Sequence, residues 1–375
     1  MNLLQRKYPD ITVRVTDPAL DELIDFEDDS HDRTVAQTAA RKISRSMEKV
    51  DKRICRHTAL TAVDIKALHG PVRETMKYLE ENPVSIALMP DSLDRDHYLR
   101  EHSGNVFFLS MLLGAAVREH IVAERQRQTA VPELSRRFSL NITPLGLGAM
   151  LCDIGMLPLE HLFTTDEPLT EDDQKAIHDH PHVGADMLPE GFSALAKMIV
   201  RTHHENFNGS GYPKRMNGDS LHIFTRIVRI ADAYDAATAK HVYKEAKSAA
   251  RVLWEMTCGP YYRFFDPVLM KVFAGLIQPF PIGAKLRLAD GRYAVVVRYN
   301  RKNPFLPNVI IAFDAKGERL PKEDLRLVLS LEDRNDLYVR SFAGEDLSYL
   351  YGADTSYRFV PARKEINTLF EAAYP

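Results

Sequence analysis

Arg201-Thr202-His203-His204-Glu205-Asn206-Phe207-Asn208-Gly209-Ser210-Gly211-Tyr212-Pro213 is the stretch on which the reading of the whole chain turns. Two adjacent histidines and a glutamate run straight into a glycine-rich turn. Neutral imidazoles ligate divalent transition metals, and on a helix His203 and His204 stand about 100 degrees apart, able to reach one metal or two neighbouring ones. Gly209 and Gly211 permit positive phi and close approach to a ligand, Pro213 fixes a backbone angle, and Tyr212 offers an aromatic face and a hydroxyl. The pattern reads as a metal helix flowing into a substrate loop. A histidine pair solvated at a helix C-terminus would carry the same letters. Other ligand types elsewhere in the chain have to separate the two readings.

The 375 residues, 45% hydrophobic and 27% charged, can bury a sizeable core as one large domain or two to three smaller ones. A formal net charge of -3 argues against a broad footprint for a nucleic-acid polymer, while a local basic pocket for one phosphorylated ligand stays open. The N-terminus has no apolar core of signal-peptide length and no stretch approaches a membrane span, so the expected compartment is the cytoplasm. Cys55, Cys152 and Cys258 are odd in number and far apart, which speaks against a disulfide framework.

Residues 1–66 form an N-terminal region of short α/β character, with an alternating run at 10–16, an acidic stretch at 21–29 and a basic-faced helix over 34–50; no function follows from it. From 67 to 280 the chain reads as helices. Pro71 to Leu79 looks like a helix start, and Val106-Phe-Phe-Leu-Ser-Met-Leu-Leu-Gly-Ala-Ala-Val117, apolar nearly all round, reads as a buried central helix with His102 just before it. A second apolar helix, Leu145 to Pro158, carries Cys152 and Asp153, and a buried carboxylate needs a partner. Thr170-Glu-Asp-Asp is a cap signal ahead of His178, His180 and His182, of which His178 and His182 read as surface residues, as do His161 and His222. Asp232 and Asp235 are spaced to share a helix face. Residues 281–330 read as a small β module with a hairpin at Asp290-Gly291 and further strands at 308–313 and 325–329, and 331–375 as a C-terminal tail.

The candidate ligands are therefore His102, Cys152, Asp153, His180, His203, His204 and Asp232, each on or beside an apolar helix or at its end, a distribution that suits a metal centre in a helical bundle. Their order and contexts resemble the HD-GYP family, a branch of the HD-domain metal phosphohydrolases whose members hydrolyse the bacterial second messenger cyclic di-GMP. The resemblance covers roughly residues 70 to 313. Its core is His203-His-Glu-Asn-Phe-Asn-Gly-Ser-Gly-Tyr-Pro213 followed by Arg226-Ile-Val-Arg-Ile-Ala-Asp232-Ala-Tyr-Asp235-Ala, supported by Asp96-His-Tyr-Leu-Arg-Glu-His102-Ser, His180-Pro-His-Val-Gly184 and Pro281-Ile-Gly-Ala-Lys-Leu-Arg-Leu-Ala-Asp-Gly291. It implies a mainly α fold, an HD-type helical bundle with a small C-terminal β module. It implies two divalent ions (iron, manganese or zinc) bridged by Asp153, and a water activated for attack on phosphorus. Chemistry is expected at Asp153, His203, His204 and Asp235, and substrate contacts at Gly209, Gly211, Tyr212, Pro213, His241 and Lys244.

The chain departs from the family at several of these places. Cys152 stands where the family has the histidine of His-Asp, and thiolate is a softer ligand. Met156 stands where the family has lysine, and a thioether neither donates a proton nor carries charge. Tyr98 occupies the position of a third-metal glutamate, Asn208 that of the loop aspartate, and His241 that of a substrate-contacting arginine. The expectation is weak metal-dependent hydrolysis of cyclic di-GMP in bacterial signalling. The alternative is a catalytically degenerate domain that binds cyclic di-GMP or a partner protein as a sensor or adaptor. Expected partners are cyclic di-GMP, other signalling proteins meeting the Gly209–Pro213 loop, and a second copy in a homodimer.

Overall fold

A computed structural model describes residues 62–81, 98–128, 136–163, 168–239, 247–300, 303–326, 328–334 and 336–351. The expected strand at 10–16 and helix at 34–50, together with His241, Lys244 and the side chain of Tyr98, lie outside the described residues. The rest divides into a helical unit, whose described residues begin at 62 and run to Phe280, and a β unit of 281–300 and 306–346.

The helical unit runs through α1 (Ala62–Glu81), α2 (Tyr98–Ala116), α3 (Arg118–Gln128), the single turn α4 (Arg136–Ser139), α5 (Thr143–Leu151), α6 (Glu171–Asp186), α7 (Ala194–Thr202), α8 (Ile223–Thr238), α9 (Ala249–Thr257) and α10 (Pro267–Leu276). α2 is its axis, packed by α8, α5 and α1. Val106, Phe107, Phe108, Leu109, Met111, Leu112 and Leu113 are all buried on it, as a helix apolar all round must be. Each such side chain contributes about 1.5–3 kcal/mol by leaving water. Among the described residues no single helix is long and apolar enough to cross a membrane.

Local chemistry sets several helix ends. Thr170 and Asp173 close a reciprocal capping box on α6, Ser193 caps α7 and Ser248 caps α9. Asp266 caps α10 through the Val268 and Leu269 amides while its other oxygen accepts from Arg226 Nη1, tying α10 to α8. Three expectations need correction. α1 starts at Ala62, so Pro71 is interior rather than first-turn; Gly70 before it has no Cβ to meet the proline ring. The apolar helix around Leu145 stops at Leu151, and Ile154–Phe163 winds as a tighter 3-10 helix, because Met156 N–H bonds Asp153 three residues back and Pro158 has no N–H to give. α7 ends at Thr202, so His203 is its C-cap and His204 lies beyond.

The β unit is an antiparallel sheet in the order β4-β3-β2-β1-β5-β6, with β1 Lys285–Leu288, β2 Tyr293–Arg298, β3 Asn308–Phe313, β4 Val328–Ser330, β5 Val339–Phe342 and β6 Glu345–Asp346. Gly291, with φ +89, makes the β1–β2 turn that Asp290-Gly291 signals. Val295, Val297, Ile310, Ala312 and Leu325 form one apolar cluster. The stretch at 325–329 is only partly strand, since Lys322–Arg326 coils as a 3-10 helix before β4. The sheet also continues past residue 330: β5 pairs with β1 and β6 with β5, so residues 339–346 complete the module rather than trail from it. These strands were hidden because β6 is only two residues long and β5 buries Val339 alone, the rest of it being polar or partly exposed.

Candidate metal centre

Asp153 sits at the break between α5 and the 3-10 helix, 8% exposed. The break is pressed against α6 at two glycines. A Cβ on Gly155 would overlap the His180 carbonyl and the Gly184 amide, so only glycine lets the two segments come this close. That closeness brings His180 Nε2 to 3.2 Å from Asp153 Oδ1. The end of α7 adds His203, fully buried, with Nε2 3.4 Å from the same oxygen.

The outer nitrogens of these two rings set how the rings face. His180 Nδ1 is 2.5 Å from the Ile177 carbonyl and His203 Nδ1 is 2.9 Å from that of Val200. A carbonyl only accepts, so each Nδ1 carries a proton and each Nε2 faces inward. The two Nε2 atoms are 3.1 Å apart beside a carboxylate oxygen. Groups crowded this closely share either a proton or a cation, and the donor set of imidazole nitrogens and carboxylate oxygen suits a divalent transition ion.

A second group faces the other oxygen of Asp153. His102 Nε2 lies 3.1 Å from Asp153 Oδ2 and 3.2 Å from Asp232 Oδ1. Asp153 thus presents one oxygen to each group. Asp153, His180, His203 and His204 form one set of possible ligands, with their ligand atoms within 4.8 Å of one another, and His102, Asp153 and Asp232 form another. His204 Nδ1 is 3.5 Å from Asp232 Oδ2, which links the two. Six of the seven expected ligands therefore converge.

The seventh, Cys152, is buried beside them and bonds Asp153 rather than joining either set. Its Sγ is within donating distance of the Ala149 carbonyl at 3.3 Å and of Asp153 Oδ2 at 3.6 Å, and it belongs to neither ligand set. Burial, with the Asp153 and Asp232 charges, pushes its thiol well above the usual range. Asp153 goes the other way: burial works to raise its carboxyl, but hydrogen bonds from His102, His180 and His203 hold it well below the ordinary value. Asp232 is likewise lowered, burial being outweighed by His102 and His204. Burial and the neighbouring His203 push His204 well down and keep it neutral. Against burial, Asp153 raises His180.

Asp235, expected to carry chemistry, stands behind His102: it accepts from Nδ1 at 2.7 Å and from Asn105 Nδ2 at 2.8 Å, so it orients the ring. Met156, 6% exposed, brings no charge to the centre.

The loop closes over the His204 side. Buried Glu205 accepts from the Lys214 and Met216 amides at 2.6 and 2.9 Å, cinching the turn. Gly209 has φ +78, and a Cβ on Gly211 would overlap the Asn206 amide, the His204 carbonyl and the Glu205 Cα. Asn208 accepts from the Ser210 amide and hydroxyl, a local turn that its carboxamide makes in place of a carboxylate. Tyr212, followed by a cis bond to Pro213, stacks between His204 (4.8 Å, 29°) and His178 (3.8 Å, 24°). Burial, Asp232 and Asp153 raise its phenol, so it stays protonated. His178 is exposed, as the sequence reading has it, while Asn105, Asn206 and Arg229 carry no role in that reading; helical spacing marks two of them, Asn105 following His102 by three and Arg229 preceding Asp232 by three.

Residues 124–262 match the HD domain family. The chain is 30% identical over 176 residues to the cyclic di-GMP phosphodiesterase PA4108 of Pseudomonas aeruginosa, which covers 46% of this chain and 42% of that protein. It is 28% identical over 177 residues to a cyclic di-GMP phosphodiesterase of Vibrio cholerae, covering 44% and 35% respectively. The chain therefore carries an HD domain over residues 124–262. A 3'3'-cGAMP-specific phosphodiesterase 2 from the same Vibrio is 38% identical over 96 residues, 25% of this chain and 18% of that protein. The matched stretches occupy less than half of each of these relatives. Within the HD-domain match lie Asp153, His180, His203, His204 and Asp232; His102 lies before it and is carried to the centre by α2.

Proposed function

We propose that this chain is an HD-GYP protein that binds two divalent cations at the Asp153 centre and hydrolyses cyclic di-GMP slowly. The support is the two-sided carboxylate: Asp153 Oδ1 faces His180 and His203, and Oδ2 faces His102, with Asp232 completing that side. Divalent ions in such a centre supply Lewis acidity toward a phosphodiester and lower the pKa of a bound water. His180, His203 and His204 would hold one ion and His102 and Asp232 the other, with Asp153 shared. Asp235 acts through His102 as a positioning residue. Tyr212 and the turn at Gly209 and Gly211 would shape the guanine pocket from the loop side, Lys244 would steady a phosphate, and His241 would contact the substrate. The relatives' printed names support the substrate class.

Slowness follows from positions 152 and 156. A thiol in place of imidazole is a softer, weaker contributor beside Asp153, and a buried thioether gives no charge. The Cys152 geometry also favours a second reading, in which the chain binds the dinucleotide and signals without turnover. Metal content, cyclic di-GMP binding and turnover measured on one oxygen-free preparation separate them, with 3'3'-cGAMP run alongside. Two ions per chain with slow, metal-dependent product formation supports hydrolysis. Tight binding with no product after many hours supports the sensor, and neither binding nor turnover sinks both.

A further inference from the structure

We propose that Arg229 is an anion-binding residue of this site, holding a phosphate oxygen of the ligand beside the Asp232 side of the centre. The inference concerns the same site as the proposed function and adds a residue to it. Arg229 lies three residues before Asp232 on α8, so both point from one helix face, one turn apart. Its Nε donates to Asn206 Oδ1 at 2.9 Å and its Nη1 to Asp232 Oδ2 at 3.2 Å, and its guanidinium lies 5.6 Å from the Phe265 ring centroid. Nη2 makes no hydrogen bond among the described residues, leaving both of its N–H donors for another acceptor.

Charge makes this use specific. Among the described residues Arg229 is the one Arg or Lys seen paired with any of the centre's carboxylates, Asp153, Asp232 and Asp235. The Asp232 oxygen that Nη1 holds is also the one nearest His204. Were Asp232 to hold a cation, that oxygen would be drawn toward it and its bond to Nη1 would weaken. The guanidinium would stay fixed by Asn206 and the Phe265 face while Nη1 and Nη2 became free as a fork, the geometry that suits two phosphate oxygens. The anchor, Asn206, is on the loop that carries Tyr212, so Arg229 spans from loop to centre.

The competing account is that Arg229 is a plain salt bridge that positions Asp232. Metal content tells them apart. Arg229→Gln in the full, metal-loaded chain should keep its ions and its melting temperature to within a few degrees, yet bind inorganic phosphate and cyclic di-GMP at least tenfold more weakly. Arg229→Lys should recover part of that affinity, since a point charge remains without the fork. In unaltered protein with 15N-labelled arginine, the Arg229 side-chain resonances should shift on adding phosphate, a reading independent of any variant's folding. Unchanged phosphate affinity in Arg229→Gln, loss of metal in parallel with phosphate, or resonances unmoved by phosphate would each overturn the assignment. Phosphate binding through Arg229 in a chain that never cleaves cyclic di-GMP would sink the hydrolase reading and leave this one standing.

Discussion

His222 caps the helix that carries both Asp232 and Asp235, and its protonation should be visible in stability. Its Nδ1 accepts from the Phe224 amide at 3.1 Å, which only an unprotonated nitrogen can do. Burial, then the Arg125 and Arg226 charges, lower its pKa from 6.5 to about 4. The folded state prefers the neutral ring, so its contribution is whole above pH 6.5 and falls away as pH drops toward 4. Integrating over the two pKa values, this group alone removes about 2 kcal/mol of stability between pH 7.5 and pH 5. The variant His222→Asn keeps a side-chain acceptor at the cap and cannot titrate. Urea unfolding in EDTA at the two pH values should show the wild type losing about 2 kcal/mol more than the variant, other titrating groups cancelling in the difference. Equal losses would mean that His222 is not held neutral and that the α8 cap is wrongly described.

Asp153→Ala should cost more bound metal than any other single ligand change, since its two oxygens face both ligand groups; stoichiometric metal in that variant by elemental analysis would place the centre elsewhere. Gly211→Ala forces backbone apart at Asn206, His204 and Glu205, so stability should fall by about 1–3 kcal/mol in thermal unfolding and cyclic di-GMP affinity at least tenfold; wild-type values for both would mean the loop has room the geometry denies. Cys152→His puts an imidazole at a position whose thiol lies between the Ala149 carbonyl and Asp153 Oδ2, and metal occupancy and turnover should both rise; no change in either would make position 152 irrelevant to the centre.

Much of the architecture was legible in the letters. Thr170-Glu-Asp-Asp spells its own capping box, the run from Val106 is apolar all round and buried, and Asp290-Gly291 turns a hairpin, because each depends on neighbours within a few residues. Ligand types were legible too, since an imidazole or carboxylate on an apolar helix needs a partner. Helix ends were less so. Pro71 reads as a start and proved interior, and the 145–158 run reads as one helix and breaks at Cys152-Asp153.

What the sequence alone determined is which residues this centre draws on and the local structure that holds each. Only the tertiary structure decided the directions. His102 meets Asp235 across 133 positions of chain and Asp232 across 130, and neither distance leaves a trace in local pattern. The break after Leu151 turns Asp153 into the centre and leaves the Cys152 thiol between the Ala149 carbonyl and Asp153 Oδ2, an arrangement that a helical wheel cannot anticipate once the winding changes. The Gly155–Gly184 contact, the Tyr212 stack and the pairing of β5 with β1 likewise arise from packing between distant segments. Ligand chemistry is a property of side chains and is written in the sequence; ligand geometry is set by how close two backbones can come, and that is settled only when they pack.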